Sequence, residues 1–410
     1  MTALFLTLVA LGGWVNARTV KLPHGVAMLF VGMAGAAGVL ALGRLAPAFA
    51  NQAIAAASGP NFVHAVLGYM LAFLLFAGSM QVDLAELRRR TLSVWTLATI
   101  GVVASTAVVG VGLWLAARAL GVALALPWAL VFGALISPTD PIAVLAAVRH
   151  GHLSSALRAI LQGEALFNDG VGIVVFTALV AFASGASSSP IEAVTSVIVQ
   201  AAGGLALGSI AGFVVVRAMH AIDDFIVEVT LTLALAMGVY AGAQALHLSG
   251  PIAVVGAGLL IGDEHTRAAM TETTHAYLRN FWTLVDEILN ALLFLLLGLQ
   301  LFTAGPPPRL AGLCAAATVL VLGARFAIVW PWGAFLRLRR EERGANLILA
   351  WGGLHGALSV ALALSLPPGP ARPLILAATY VVATVSVALQ GLTFSALTRW
   401  LDGSRDANAG

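Results

Sequence analysis

Three acidic residues, Asp140, Glu164 and Asp169, lie inside long apolar segments of the chain. An ionised carboxylate at the centre of a bilayer costs roughly 2.5–3.5 kcal/mol by insertion scales, so such residues face a cavity or a partner. Glu164 and Asn168 are four residues apart and share one helix face, whereas Asp169 lies one step round the helix. If the segments that carry Asp140 and Asp169 pack antiparallel, these two carboxylates lie side by side.

The chemistry of such a pair is competition between positive ligands. In a poorly hydrated cleft the carboxylates of Asp140 and Asp169 repel each other, so one of them holds a proton until a cation replaces it. A single site with two competing ligands is the minimum that cation–proton exchange requires. A hydrogen-bonded structural pair of carboxylates remains the alternative interpretation.

The segment around Asp140 reads Ser-Pro-Thr-Asp-Pro over residues 137–141. Pro138 and Pro141 remove backbone donors and disfavour helix at the residues before them. We therefore expect the helix to unwind near mid-membrane and to point carbonyls, the Thr139 hydroxyl and the Asp140 carboxylate into a cavity. Such oxygens suit a dehydrated alkali cation such as Na⁺. A proline kink in which Thr139 and Asp140 cap the next half-helix is the alternative.

A second break is predicted between Trp351 and Ser359, where Gly352, Gly353 and Gly356 weaken the helix. It would be symmetric with the proline-containing break. His355 lies within it, and the sequence leaves two roles open: a satisfied interior histidine or a pH-responsive group.

Arg325 is the one basic residue that falls inside a predicted membrane segment. Its expected partner is Glu164, because an unpaired guanidinium would be very costly there. We interpret this as a structural ion pair that joins two helices, with control of carboxylate protonation as the alternative. Four weaker polar candidates are interpreted as helix caps or interfacial anchors: Gln81, Asp83, Asp286 and Asn290.

The elements that must position these residues are membrane helices. Of the 410 residues 60% are hydrophobic and 10% charged, with a mean hydropathy of +0.97, whereas a soluble domain has about 25% charged residues. Long apolar runs predict an all-α polytopic membrane protein in contact with lipid. The net charge of +3 is spread over short loops, so no nucleic-acid partner is expected.

Prolines, glycines and charges divide the chain into about thirteen apolar segments of spanning length. They lie near residues 2–16, 24–43, 61–81, 92–118, 122–147, 156–183, 191–218, 226–246, 249–262, 281–302, 311–336, 345–366 and 373–400. Sixteen of the 21 Lys and Arg residues fall in alternate loops, which are therefore predicted to be cytoplasmic. This places the N-terminus outside and the C-terminus inside a bacterial inner membrane.

Four strings together resemble the sodium/proton exchangers of the NhaP/NHE type, within the monovalent cation:proton antiporter superfamily. They are FGALISPTDPIAV at 132–144, GEALFNDG at 163–170, Arg325, and WGGLHGALS at 351–359. They follow the family's order and spacing over nearly the whole chain. The Thr-Asp-Pro element followed by Glu-x-x-x-Asn-Asp is the most specific part.

The resemblance implies a fold of about thirteen helices with inverted repeats and two unwound crossing helices, like that of NhaA and NhaP. It implies a homodimer and a single transmembrane domain over residues 1–410. A core bundle, about 92–183 and 311–400, would move against a dimerisation or scaffold part, about 1–90 and 191–302.

Residue by residue, the resemblance implies that Asp169 is the central carboxylate that binds the cation or the proton. Asp140 and Thr139 would assist at the unwound helix, so Asp169 and Asp140 are the expected Na⁺ ligands. Asn168 matches the Asn-Asp pair that is typical of the electroneutral branch.

The family's buried ion pair matches Glu164 and Arg325. This chain departs from the family at two positions. Ala165 stands where the family usually has Ser, which removes one hydroxyl ligand and leaves the preference among Na⁺, K⁺ and Li⁺ open. His355 stands where the family usually has Arg, so a fixed charge becomes a titratable one.

The sequence therefore predicts electroneutral exchange of Na⁺, or of Li⁺ or K⁺, for H⁺ by alternating access. A K⁺-selective proton antiporter is the first alternative, and a cation channel or sensor without proton coupling is the second. No enzyme activity and no cofactor are expected, because the chain has no nucleotide-binding glycine loop, no His/Cys metal cluster and no nucleophile–base set.

Overall fold

The computed structural model describes residues 2–43, 69–140, 154–185, 190–264, 266, 271–303, 310–338 and 344–406. Within these ranges the chain is helical, and the only strand-like pairing is one antiparallel bridge between Asp140 and Leu354. The prediction of an all-α protein is confirmed.

The described residues form fifteen helices, numbered in chain order. They are α1 Thr2–Arg18, α2 His24–Gly43, α3 Leu71–Met80, α4 Leu84–Arg89, α5 Thr91–Ala119, α6 Leu126–Ile136, α7 Ser155–Ala183, α8 Pro190–Met219, α9 Phe225–Ala245, α10 Gly250–Ile261, α11 Glu272–Thr303, α12 Ala311–Leu338, α13 Ala345–Trp351, α14 Ala357–Leu364, and α15, which runs from Ala371–Val385 through a π-helical turn at Ser386–Gln390 into Gly391–Asp406.

Seven of the described helices are long and apolar enough to cross a membrane. They are α5, α7, α8, α9, α11, α12 and α15, and four shorter apolar helices, α2, α3, α6 and α10, accompany them. Outward-facing apolar side chains such as Val319, which is 71% exposed, suit contact with lipid. The chain is therefore an integral membrane protein. Parts of the segments predicted at 61–81 and 122–147 lie outside the described residues, so a total near thirteen stays a prediction.

The observed helix ends can be traced to the residues that divide the predicted segments. The division between the eighth and ninth segments is confirmed: α9 ends at Ala245, and the Ser249 side chain caps α10 by accepting a hydrogen bond from the Ile252 N–H at 3.4 Å. The tenth segment, predicted at 281–302, begins earlier, at Glu272. Its first turns carry polar residues that continue the helix beyond its apolar part.

A helix ends at each of the two predicted breaks. α6 ends at Ile136, just before Pro138, and a non-helical stretch separates Trp351 at the end of α13 from Ala357 at the start of α14. Pro141 lies outside the described residues. The π-helical turn of α15 supports the second break, since the Ser386 hydroxyl accepts a hydrogen bond from the His355 N–H at 2.9 Å.

Close helix packing fixes the walls around these breaks. α2 and α11 approach each other at Gly32 and Gly298. A Cβ added at either glycine would lie 3.0 Å from the Cα atom of the other. α5 packs on α6 and α12, and α10 packs on α3 and α8. Small residues at such contacts let helix backbones approach without a hydrophobic driving force from lipid.

Candidate cation and proton site

The two unwound segments cross at the centre of the site. The Asp140 N–H donates a hydrogen bond to the Leu354 carbonyl at 2.7 Å, which joins the segment after α6 to the segment before α14. A Cβ added at Gly356 would lie 2.7 Å from Asp140 Oδ2. The backbone of Gly356 therefore makes room for the Asp140 carboxylate.

Asn168 and Thr139 lock α7 onto the first unwound segment. The Asn168 amide donates to the Thr139 hydroxyl at 2.9 Å, and both residues are buried. The Asn168 carbonyl oxygen, Oδ1, has no hydrogen-bond partner among the described residues. A buried oxygen without a donor is costly unless a ligand or water meets it.

Asp140 and Asp169 line one cavity, which we call the central cavity; its volume is about 140 Å³. Both carboxylates are half-buried. Its polar wall, as far as the structure describes it, consists of Gln81, Thr139, Asp140, Gln162, Asp169, Asp286, Asn290 and Ser359. The sequence predicts that the two aspartates share a cleft, and the structure places them in one.

The buried ion pair forms between the predicted partners. The Arg325 guanidinium binds both oxygens of the Glu164 carboxylate, with Nη2 3.0 Å from Oε2. The same Nη2 also donates to the Leu349 carbonyl at 2.9 Å. Such a two-point contact ties α12 to α7 and to α13. Neither residue lines the central cavity, which favours the structural interpretation.

His355 is an interior residue of the crossing. Its side chain is buried, and its Nδ1 lies 3.4 Å from the Pro138 carbonyl oxygen. Its Nε2 has no hydrogen-bond partner among the described residues. Gly353, in the same break, packs against the Arg325 guanidinium.

Three of the four weaker polar candidates, Gln81, Asp286 and Asn290, line the central cavity. The interpretation as caps or interfacial anchors is wrong for Asp286 and Asn290. Gln81 is also the C-cap of α3, as predicted. The Asn290 amide donates to Asp286 Oδ1 at 2.9 Å. Asp83 is a cap, as predicted: its carboxylate accepts a hydrogen bond from the Glu86 N–H at 3.0 Å at the start of α4.

Sequence reasoning missed Ser359. Its side chain is 1% exposed, its hydroxyl has no hydrogen-bond partner among the described residues, and it lines the central cavity. A signal was available, because Ser359 lies in the first turn of α14, immediately after the predicted break. Ala165 also lines the cavity, and its methyl group offers no oxygen ligand.

Two further cavities approach the central one from opposite directions. The Gln81-side cavity, of about 350 Å³, is lined by residues that include Gln81, His275, Arg279 and Trp282. The Leu71-side cavity, of about 430 Å³, is lined by residues that include Tyr69, Leu71, Gln200, Tyr240, Gln244 and Ser365. The central cavity shares the lining residue Gln81 with the Gln81-side cavity and the lining residue Leu71 with the Leu71-side cavity.

Comparisons with known proteins identify the family of the chain. The family model described as sodium/hydrogen exchanger, transmembrane, matches residues 5–400. The chain is 40% identical to the Na⁺/H⁺ antiporter NhaP of Pseudomonas aeruginosa, over 97% of this chain and 96% of that protein. It is 31% identical to the Na⁺/H⁺ antiporter NhaH of Halobacillus aidingensis, over 94% of this chain and 93% of that protein.

A solved structure shares the fold. The sodium proton antiporter MjNhaP1 of Methanocaldococcus jannaschii, determined at pH 8, superposes with a TM-score of 0.74. The match covers 98% of each chain at 21% sequence identity. At that identity the likeness establishes the fold, with the helices in the same arrangement.

Proposed function

This chain belongs to the sodium/hydrogen exchanger family, and from that premise we propose that it exchanges Na⁺ for H⁺ at Asp169. The observation that carries the proposal is the central cavity, which Asp169 and Asp140 both line. No Lys, Arg or His is among the described residues of its wall. The described wall therefore favours positively charged ligands, as the transport of a cation requires.

Coupling follows from the cost of an empty site. Asp169 alternates between a protonated and a cation-bound form, and each form carries less net charge than the bare carboxylate. The bare form is too unfavourable to cross the low-dielectric interior, so neither ion moves without the other. Further oxygens for a partly dehydrated Na⁺ come from Asp140, Thr139 and the Asn168 Oδ1, which has no hydrogen-bond partner among the described residues.

The exchange is proposed to be electroneutral. Asn168 contributes a neutral amide that holds Thr139, so only one carboxylate trades a proton for a cation in each cycle. Alternating access would then move a core of about 92–183 and 311–400 against a scaffold of about 1–90 and 191–302, as the inverted repeats of such transporters do.

The finer localisation is part of the same proposal. The arginine-rich alternate loops favour a bacterial inner membrane with the N-terminus outside and the C-terminus in the cytoplasm. A homodimer assembled through the scaffold part accords with the family resemblance. Both relatives described above are named Na⁺/H⁺ antiporters, which favours Na⁺ over the K⁺-selective alternative.

Proteoliposomes with an acidic lumen and a trapped pH dye test the proposal. A pulse of external Na⁺ should raise the luminal pH, and Asp169→Asn should abolish this signal because the shared carboxylate is gone. Asp140→Asn should greatly weaken it. Glu192→Gln, an exposed position at the start of α8, is the matched control and should leave it unchanged. Full exchange by the Asp169→Asn protein would remove the mechanism.

The same vesicles separate the alternatives. A potassium gradient with valinomycin clamps the membrane potential, and an electroneutral exchanger keeps its rate when that potential changes. A channel would instead pass current without proton movement. Pulses of K⁺ and Li⁺ in place of Na⁺ give the order of preference.

A further inference from the structure

Asp286 supplies a third carboxylate to the central cavity, and the exchange mechanism above does not use it. It lies on α11 and lines the central cavity. Its carboxylate accepts hydrogen bonds from the side-chain amides of Asn290, at 2.9 Å, and of Gln81. Both donors are neutral, and no Lys, Arg or His of the described ranges forms an ion pair with it. These neutral partners hold the carboxylate in place, and they would not cancel its charge when it is ionised.

The position of Asp286 is at a junction. Gln81, which binds it, also lines the Gln81-side cavity, so Asp286 lies where that cavity meets the central one. The Gln81-side cavity also contains Arg279 and His275. Arg279 alone would repel an approaching cation. A carboxylate at the inner end of the passage reverses the local field and concentrates cations there.

Asp286 also faces the opposite wall of the site. Its charge interacts with that of Asp140, which follows α6, whereas Asp286 belongs to α11. A cation between these walls relieves their repulsion. The buried hydroxyl of Ser359, which has no partner among the described residues, lines the same space. It independently indicates that this space receives a ligand that seeks oxygen atoms.

We propose that Asp286, held by Gln81 and Asn290, is a loading position for the monovalent cation, separate from the exchange site at Asp169 and reached from the Gln81-side cavity. The proposal rests on the proposed function, because a loading position has a role only if the cation goes on to Asp169. Since Asp286 is on the proposed scaffold and Asp169 on the proposed core, the loading position serves one face of the membrane only.

Sided transport measurements test this. Vesicles of each orientation receive Na⁺ from one face at alkaline pH, because Asp286 attracts protons as well as Na⁺ and few protons compete there. Asp286→Asn should raise the Na⁺ concentration for half-maximal rate on the order of tenfold from the Gln81-side face. The value from the other face and the maximal rate should be unchanged. Glu192→Gln, an exposed position at the start of α8 that does not line the cavity, should behave as the parent protein.

Further variants separate charge from structure. Asn290→Ala removes a hydrogen bond but keeps the carboxylate, so it should change the sided Na⁺ dependence far less than Asp286→Asn. Gln81→Glu adds charge at the junction and should lower the half-maximal Na⁺ concentration from that face, a result that stands even if Asp286→Asn fails to fold. Equal changes from both faces, or no change with either charge variant, would overturn the loading position. If Asp169→Asn still exchanged ions, the proposed function itself would fail instead.

Discussion

At the scale of residues, the central cavity combines charged groups with groups that only orient them. Asp140 and Asp169 supply charge, whereas the Asn168 side-chain N–H donates to Thr139 and its oxygen has no partner in the part of the chain that the structure describes. Arg325 and Glu164 neutralise each other outside the cavity wall. A fixed positive charge is thereby kept out of the space where a cation must bind. Affinity for Na⁺ then depends on how many oxygens meet the ion.

Ser359 should be one of those oxygens, because it lines the cavity and its buried hydroxyl has no hydrogen-bond partner within the described ranges. Ser359→Ala removes one neutral ligand, worth roughly 1 kcal/mol, and should raise the half-maximal Na⁺ concentration about fivefold. Ser359→Thr keeps the hydroxyl and should restore most of the affinity. The measurement is the Na⁺ dependence of exchange in vesicles at fixed pH.

Ser196→Ala is the matched control for this prediction, since Ser196 is exposed on α8. A loss of maximal rate in the Ser359→Ala protein without a change in Na⁺ dependence would assign Ser359 to helix packing and exclude it from the ligands.

At the scale of elements, the crossing of the two unwound segments fixes the position of the Asp140 carboxylate. The Asp140 N–H is bonded to Leu354, so the first break is held by the second. Gly356 has φ of −103° and ψ of −157°, angles that any residue adopts. Its requirement for glycine is therefore steric and comes from the adjacent Asp140 carboxylate.

Gly356→Ala should consequently disrupt exchange. The added Cβ would lie 2.7 Å from Asp140 Oδ2, so either the carboxylate or the crossing must shift. Overpacking of this kind costs roughly 1–3 kcal/mol, and we expect the maximal rate to fall at least about tenfold. Gly323→Ala, in α12 with open space around the added atom, should leave transport intact. Initial rates of dye recovery compare the two, and near-normal exchange by Gly356→Ala would show that Asp140 does not need its present position.

The two breaks and the buried ion pair can be predicted from the sequence alone. Both breaks are predictable from Pro138 and from the glycines of the 351–359 segment, because these residues weaken a helix at their own positions. Glu164 and Arg325 are 161 residues apart, yet their pairing is predictable because a lone buried charge must find its opposite. Asp286 is different. Its orientation depends on α11 meeting α3, and no local rule states which neighbour a helix face will contact.

At the scale of the whole molecule, cavities extend from the central site in two directions. Gln81 on one side and Leu71 on the other are shared between neighbouring cavities, and both residues belong to or border α3. The facing wall is formed by α7 and α14. Sliding of these two walls against each other would open one cavity while closing the other, which is the motion that alternating access requires.

Fixing the two walls together should therefore stop exchange. A Cβ at Gly78 of α3 would lie 3.9 Å from Leu166 Cδ1 of α7, so cysteines at both positions can be bridged by a short bifunctional reagent. The only native cysteine, Cys314, is buried and is replaced by Ala in all variants. We expect bridging of the Gly78→Cys/Leu166→Cys protein to abolish Na⁺-driven dye recovery, and reduction of the bridge to restore it.

The control for this bridge lies inside the proposed scaffold. A Cβ at Gly12 of α1 would lie 2.8 Å from Val31 Cγ2 of α2, so a Gly12→Cys/Val31→Cys bridge joins two helices that should move together. That bridge should leave the rate unchanged, because it fixes no contact that alternating access must break. If both bridges stopped exchange, the boundary between moving and fixed parts would not run between α3 and α7. If neither did, α3 and α7 would move as one body, and access would have to alternate at another surface.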